Sequence, residues 1–404
     1  MKLKTYSFLF FTAFISLLIL QLHNLSLFPP TKGFDAGGHI EYINLIKSER
    51  RVPLANEGWE LYQPPLYYFV SVFLPDLKAV QWLGPISWLL IGISGFSVFR
   101  RAFPSHRFTG TLLLISLPVI IYLTPTISNE LFTAALISLS LAYYWLKYPL
   151  DNPRHQLLLG LLLDLSLLAK ATAWILVLAI LIDQLRLRRP VVTKFTLSLP
   201  KGYLLFTIVL VASWFYIRNL TVFGNPFATS VDFPQFAITQ TPVKRDLKFF
   251  TDLSAFTKLD LFRAHWYSFI PGTFFTFFYD GHNIIVPIQP FSKAGALLAV
   301  ASLPLTLLAL AGLIKLLRSQ NHRSHIFILY AFLLLAAYIA YNFKLPLYSS
   351  VKGSFIASVS LPLVFFYLTG LQSLKPKLKN LTTPYLILYV ILVLKNFWLL
   401  AKWI

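Results

Sequence analysis

Hydrophobic positions along the chain fall in long runs, such as Ser7–Leu22, Thr111–Leu123, Tyr203–Trp214 and Ala294–Ile314, with short polar segments between them. A bilayer span takes about 20 mostly apolar residues, so these runs predict membrane helices. Polar segments rich in Lys and Arg alternate with segments that carry Asp, Glu and Asn, as orientation signals do. Lys2 and Lys4 precede the first run, which places the N-terminus in the cytoplasm. Spans are then predicted at 6–27, 79–99, 108–127, 131–148, 202–217, 294–317, 325–343, 354–373 and 382–400. The run 156–185 has basic loops on both sides and so needs an even number of crossings. A hairpin of two short crossings turning near Lys170 meets that need. The expected fold is an all-α polytopic membrane protein of about 11 transmembrane helices in one integral membrane domain, 1–404. Its outer face carries a first loop (28–78) with interfacial helices, one of them at Pro65–Leu74, and a larger, Phe-rich cap loop (218–293).

Composition sharpens this picture. Charged residues are 12% of the 404 and hydrophobic residues 57%, whereas a soluble chain keeps about 25% charged to cover its surface. The first apolar run is too long for the core of a secretory signal, and no small-residue cleavage site follows it, so it reads as an uncleaved span. A net charge of +20 would suit nucleic acid, but the cations sit in short loops between spans, so no nucleic-acid partner is expected. The chain has no cysteine, which excludes disulfides, zinc–thiolate sites and cysteine nucleophiles.

The first outer loop holds the strongest local signal, Phe34-Asp35-Ala36-Gly37-Gly38-His39-Ile40-Glu41-Tyr42. On a helix, Asp35 and His39 share one face. A carboxylate beside an imidazole can act as a general base or help to hold a divalent metal. The plainer reading is that Asp35 caps a short helix. Further along, Trp59-Glu60-Leu61-Tyr62-Gln63-Pro64-Pro65-Leu66-Tyr67-Tyr68 reads as a surface helix anchor. His265 and His282 lie in the cap loop without metal-site spacing.

Three motifs in order carry a resemblance. The first is Asp35-x-x-x-His39-x-x-Tyr42-Ile43, then Val52-Pro53-Leu54, then Trp59-Glu60-x-x-Gln63-Pro64-Pro65-Leu66-Tyr67-Tyr68. The second is Leu167-Leu168-Ala169-Lys170-Ala171-Thr172. The third is Trp214-Phe215-Tyr216-Ile217-Arg218-Asn219, followed by Phe223-Gly224-Asn225-Pro226. Together they resemble the GT-C glycosyltransferases, membrane enzymes related to protein mannosyltransferases and aminoarabinose transferases. The last third of the chain matches only as generic spans.

The resemblance implies transfer of a sugar from a polyprenyl-phosphate donor to an acceptor hydroxyl, with inversion, at the outer face of a plasma membrane. It assigns Asp35 as catalytic base. His39, Gln63, Glu130, Lys170 and Arg218 become candidate substrate-binding residues, with Lys170 and Arg218 placed to meet the leaving phosphate; Lys352 joins them as an ionisable residue at the mouth of the 354–373 span. The family's adjacent Asp-Glu pair is here Asp35-Ala36. Gln63 stands where many relatives carry Lys, which removes one phosphate contact. Local alternatives stay open: Glu130 as an N-cap, Lys170 paired with Asp164, and Arg218 or Lys352 meeting headgroups. A divalent metal is a candidate cofactor and none is assigned. The acceptor is not indicated. The rival classes are a transporter or flippase of lipid-linked sugars, which should show repeats and shows none, and a non-catalytic membrane subunit.

Overall fold

A computed structural model of the chain describes residues 2–186, 207, 211–236, 242–285, 293–319 and 321–399, with side chains from Phe8 onward. In lipid each backbone N–H and C=O must be satisfied within its own segment, which a helix does. The described residues form helices and turns, with no strand among them. Among the described residues six segments are long and apolar enough to cross a membrane: Phe8–Leu27, Leu77–Ala102, Lys293–Leu317, His322–Lys344, Tyr348–Gln372 and Pro376–Phe397.

Six is fewer than the eleven that hydropathy predicts, and the reasons are local. The run 108–127 divides into α6 (Arg107–Ile115) and α7 (Pro118–Leu123), because Pro118 has no N–H to continue the helix. The run 131–148 is α8 (Asn129–Lys147), whose Thr and Ser positions (Thr133, Ser138 and Ser140) are buried among neighbouring helices. The predicted span at 202–217 lies mostly outside the described residues; its end continues into α11 (Ser213–Phe223).

The run 156–185 is broken at Lys170, whose backbone is extended, into α9 (Pro153–Ala169) and α10 (Trp174–Arg186). Contacts to α8 give their directions. His155 at the start of α9 bonds Tyr143 near the end of α8 at 2.9 Å, and Ala169 at its finish accepts from Asn129 at 3.3 Å. Tyr144 then donates to Asp183, near the end of α10, at 2.6 Å. So α9 climbs the length of α8 and α10 descends it, with Lys170 at the turn.

The remaining long helices are α1 (Lys2–Leu27), α5 (Leu83–Ala102), α13 (Lys293–Leu317), α14 (His325–Lys344), α15 (Ser360–Gln372) and α16 (Thr382–Phe397). Helices α13 and α15 cross in backbone contact. A Cβ on Gly312 would stand 1.9 Å from the Phe366 carbonyl oxygen, and one on Gly370 2.0 Å from that of Leu308. Small residues permit such approach where helices meet in a membrane. Arg100, Arg101, Arg107, Arg154, Arg186, Arg318 and Arg323 gather at one end of the bundle. The segment 28–78 and the cap gather at the other.

Within 28–78, α2 (Ala36–Glu49) and α3 (Leu66–Val72) pack together over a core of Tyr42, Ile43, Leu61, Tyr67 and Tyr68. Tyr42 and Tyr68 stack with ring centroids 3.7 Å apart. The helix expected at Pro65–Leu74 therefore forms as α3, with Tyr67 and Tyr68 turned inward against α2 and Phe73 turned out. In the cap, short helical turns lead to α12 (Phe269–Phe278), whose phenylalanines are mostly buried. It is tied in at both faces: Tyr122 donates to the Thr276 carbonyl at 2.6 Å, and the Gly353 amide donates to the Thr276 hydroxyl at 2.8 Å.

Candidate active site

Where α2, the loop 59–63, the start of α8, the Lys170 turn and the segments 227–236 and 341–355 converge, a cavity of about 830 Å³ opens. That lies within the roughly 300–1,000 Å³ usual for small-molecule sites. Asp35, His39, Gln63, Glu130, Lys170 and Lys352, six of the seven residues singled out in the sequence, line it.

Asp35 does not cap α2. It stands just before the helix at φ 54°, in the left-handed region, and its side chain makes no cap hydrogen bond; Asp is among the few residues that tolerate this conformation. The twist sends the carboxylate into the cavity, 3.5 Å from Lys352 Nζ, with the Trp59 side chain near enough to favour its ionised form. Lys352 is held in turn over the Phe34 ring, 3.8 Å from its centroid, a cation–π arrangement.

A second chain of contacts crosses the cavity wall. Glu60 accepts from Gln63 Nε2 at 2.9 Å, and Gln63 Oε1 accepts from Asn129 Nδ2 at 3.2 Å. Asn129 Oδ1 accepts from Lys170 Nζ at 3.4 Å, and Lys170 closes an ion pair with Glu130 at 2.7 Å. Glu130 is therefore not the cap of α8, where Ser128 stands, and Lys170 is paired with Glu130 rather than with Asp164. The extended backbone at Lys170 ends α9 and carries its ammonium to this network. Both lysines face the same Phe355 ring, 5.8 and 5.2 Å from its centroid.

Burial and charge set the protonation states. Burial works to raise the Asp35 carboxyl, but the neighbouring cations, Lys352 foremost, outweigh it and hold it below the ordinary carboxylate value. Glu60 is buried, and burial first, then the Asp35 charge, push it up to about 8 against the opposing Gln63 bond. His39 is buried and hydrogen-bonded through Nδ1 to the Tyr68 hydroxyl at 2.8 Å. Burial drives it down to about 3, so it is neutral at physiological pH. Two carboxyls with pKa values pushed apart are a recurring arrangement in acid–base sites: Asp35 is an ionised acceptor and Glu60 holds a proton.

Arg218 is not brought to the cavity. It donates to the Val52 carbonyl and to Asn219 Oδ1, each at 3.1 Å, and packs over Phe215. Its reach is spent pinning the segment after α2 to α11. Sequence reasoning passed over Glu60, Asn129, Trp59 and Phe355. Glu60 stood inside a quoted motif, yet only the folded loop brings it against Asp35. Gly38 makes that approach feasible, since a Cβ there would lie 2.8 Å from Glu60 Cγ. His265 and His282 do meet in the cap, with ring centroids 3.9 Å apart, and His282 Nε2 donates to the Val351 carbonyl. Among the described residues no group of three or more His, Cys, Asp or Glu is placed to hold a metal ion. In the cavity each carboxylate already faces a lysine or an amide, so the donor set does not fit a divalent cation, and no step is derived through one.

This all-helical bundle of apolar helices, with a charged cavity among its end loops, has the fold of a solved structure. The ArnT structure from Cupriavidus metallidurans bound to undecaprenyl phosphate aligns with it at a TM-score of 0.56 and 12% identity, over 97% of this chain and 76% of ArnT. The same protein in the apo state gives 0.42 at 15% identity, over 98% and 78%. The arabinofuranosyltransferase AftD from Mycobacteria gives 0.49 at 14% identity, over 95% of this chain and 26% of AftD. The last two scores are too low to carry an argument, and identities this low speak for the fold alone. No protein-family model and no curated protein matches the chain.

Proposed function

We propose that this protein is a GT-C-type glycosyltransferase that moves a sugar from a polyprenyl-phosphate donor to an acceptor hydroxyl. The observation that carries the reading is the Asp35 carboxylate sharing a cavity with two lysines, buried Lys352 and part-buried Lys170. The likeness to ArnT, solved with undecaprenyl phosphate, supports it.

In the reaction Asp35 accepts the proton of the acceptor hydroxyl as its oxygen bonds the anomeric carbon from the face opposite the phosphate. The anomeric carbon–oxygen bond to phosphate breaks, its electron pair stays with the polyprenyl phosphate, and the anomeric centre inverts. Negative charge grows on the leaving phosphate, where fixed cations in a site shielded from water have most effect. Lys352 takes the part first assigned to Arg218, alongside Lys170. Neutral Glu60 and His39 add no charge to the donor pocket, and Gln63 with Asn129 fixes the Lys170 side. The basic residues at the far end of the bundle support a reading in which that end faces the cytoplasm and the cavity opens at the outer face of a plasma membrane.

The test is Asp35→Asn, assayed as purified chain in detergent with a panel of polyprenyl-phosphate sugars. Loss of the positioned base should lower transfer by about 10²–10⁴-fold with the folded fraction unchanged. Transfer at the wild-type rate would remove Asp35 as base.

A further inference from the structure

Far from this cavity, at the basic end, α1, α6 and α16 pack against one another and leave a groove of about 450 Å³ between them. One part of its wall is apolar, formed by Leu9, Phe10 and Ala13 of α1 and by Leu386, Val390 and Leu394 of α16. The end nearest the basic loops is different. There Arg107, His106 and Lys379 line it together with Ser105, Thr382 and Thr383, and among the described residues no Asp or Glu lines the groove. From Thr382 to Leu394 the helix rises about 18 Å, close to the ~15 Å depth of one leaflet's hydrocarbon.

We infer that this groove is a binding site for an anionic glycerophospholipid of the leaflet facing the basic end. The cations have donors to spare. Arg107 spends one on the Pro104 carbonyl at 3.1 Å and Lys379 one on the Gln372 carbonyl at 2.8 Å, out of five and three N–H groups. Among the described residues neither has an ion-pair partner, and Lys379 lies close enough to His106 to act on its charge. Two cations and an imidazole at the mouth, hydroxyls beside them and an acyl-length apolar wall below match a phosphodiester, a glycerol and one chain. Basic pockets between membrane helices bind anionic headgroups by this chemistry. The inference is independent of the glycosyltransferase reading.

The experiment is native mass spectrometry of the full chain in detergent, titrated in turn with phosphatidylglycerol, phosphatidylcholine and undecaprenyl phosphate. The unmodified chain should retain phosphatidylglycerol in preference to phosphatidylcholine, and Arg107→Ala and Lys379→Ala should each reduce that preference by roughly five-fold. Val390→Trp, which fills the apolar wall, should lower retention of both phospholipids. Equal retention of the two by the unmodified chain would overturn the proposal. So would a preference that survives the Arg107→Ala/Lys379→Ala double variant, or retention of undecaprenyl phosphate that falls as far as that of phosphatidylglycerol in that variant, which would give the groove to the polyprenyl lipid.

Discussion

The two ends of the bundle use the same residue types for opposite purposes. At the cavity end cations face acids: Lys352 with Asp35, Lys170 with Glu130, Arg51 with Glu49 and Glu57. At the basic end no ion pair forms among the described residues, and the cations bond neutral groups instead, as Arg218 also does at the cavity end. Arg323 donates to the backbone carbonyls of Trp145 and Leu146 at the finish of α8, and Lys379 to that of Gln372. A cation that closes a helix end stabilises the fold and interacts well with the helix dipole. A cation buried beside a carboxylate, with an open cavity in front of it, is available to a ligand's charge. Even within the cavity end burial separates the cases: the Arg51 cluster is largely solvated, whereas Lys352 and Lys170 are 8% and 12% exposed.

The largest effect that would break this contrast is at Lys352. Lys352→Met leaves Asp35 without its nearest cation and the departing phosphate without one of two, so kcat should fall by about 10²–10³-fold. A thermal melt checks that the chain stays folded. If Lys352→Met and Arg101→Met had equal effects on kcat, the functional distinction between the ends would be lost.

The next effect is on pH dependence. Glu60 titrates at about 8 in the fold, above its ordinary value, so the folded state holds this proton longer than the unfolded chain. Its contribution to stability is complete below the ordinary glutamate range and is lost as pH rises through 8. Above that pH a second negative charge also stands beside Asp35, facing the donor phosphate. Transfer should therefore decline through pH 8, and Glu60→Gln should flatten that decline while leaving the neutral-pH rate near wild type. Rate profiles of both proteins from pH 6 to 9 decide it. Asp35 lies below its ordinary value, so no loss from its protonation is expected within that window.

The smallest effect belongs to the basic end. Arg323→Met removes charge-assisted bonds to two carbonyls and should cost roughly 1–3 kcal/mol of stability. The rate per folded molecule should stay unchanged, as measured by denaturation beside active-fraction kinetics.

Much of this protein was legible in its sequence, because a bilayer imposes its rules one segment at a time. Apolar runs marked out helices, and the Lys170 break was visible as an unpaired crossing between two basic loops. Asp35, His39, Gln63 and Lys170 could be named from motifs, and Glu130 and Lys352 from their places in an outer loop and at a span mouth, since ionisable residues are costly near a membrane and seldom idle there. What only the tertiary structure decided was which of them meet. Asp35 faces Lys352 across more than three hundred residues of chain, Glu60 is driven to hold a proton by a neighbour folded against it, and Arg218 is drawn aside to the Val52 carbonyl. Pairing and burial are properties of the three-dimensional arrangement: they depend on distances between segments that no local pattern of hydrophobic and polar residues encodes, and those distances set the charge each group carries.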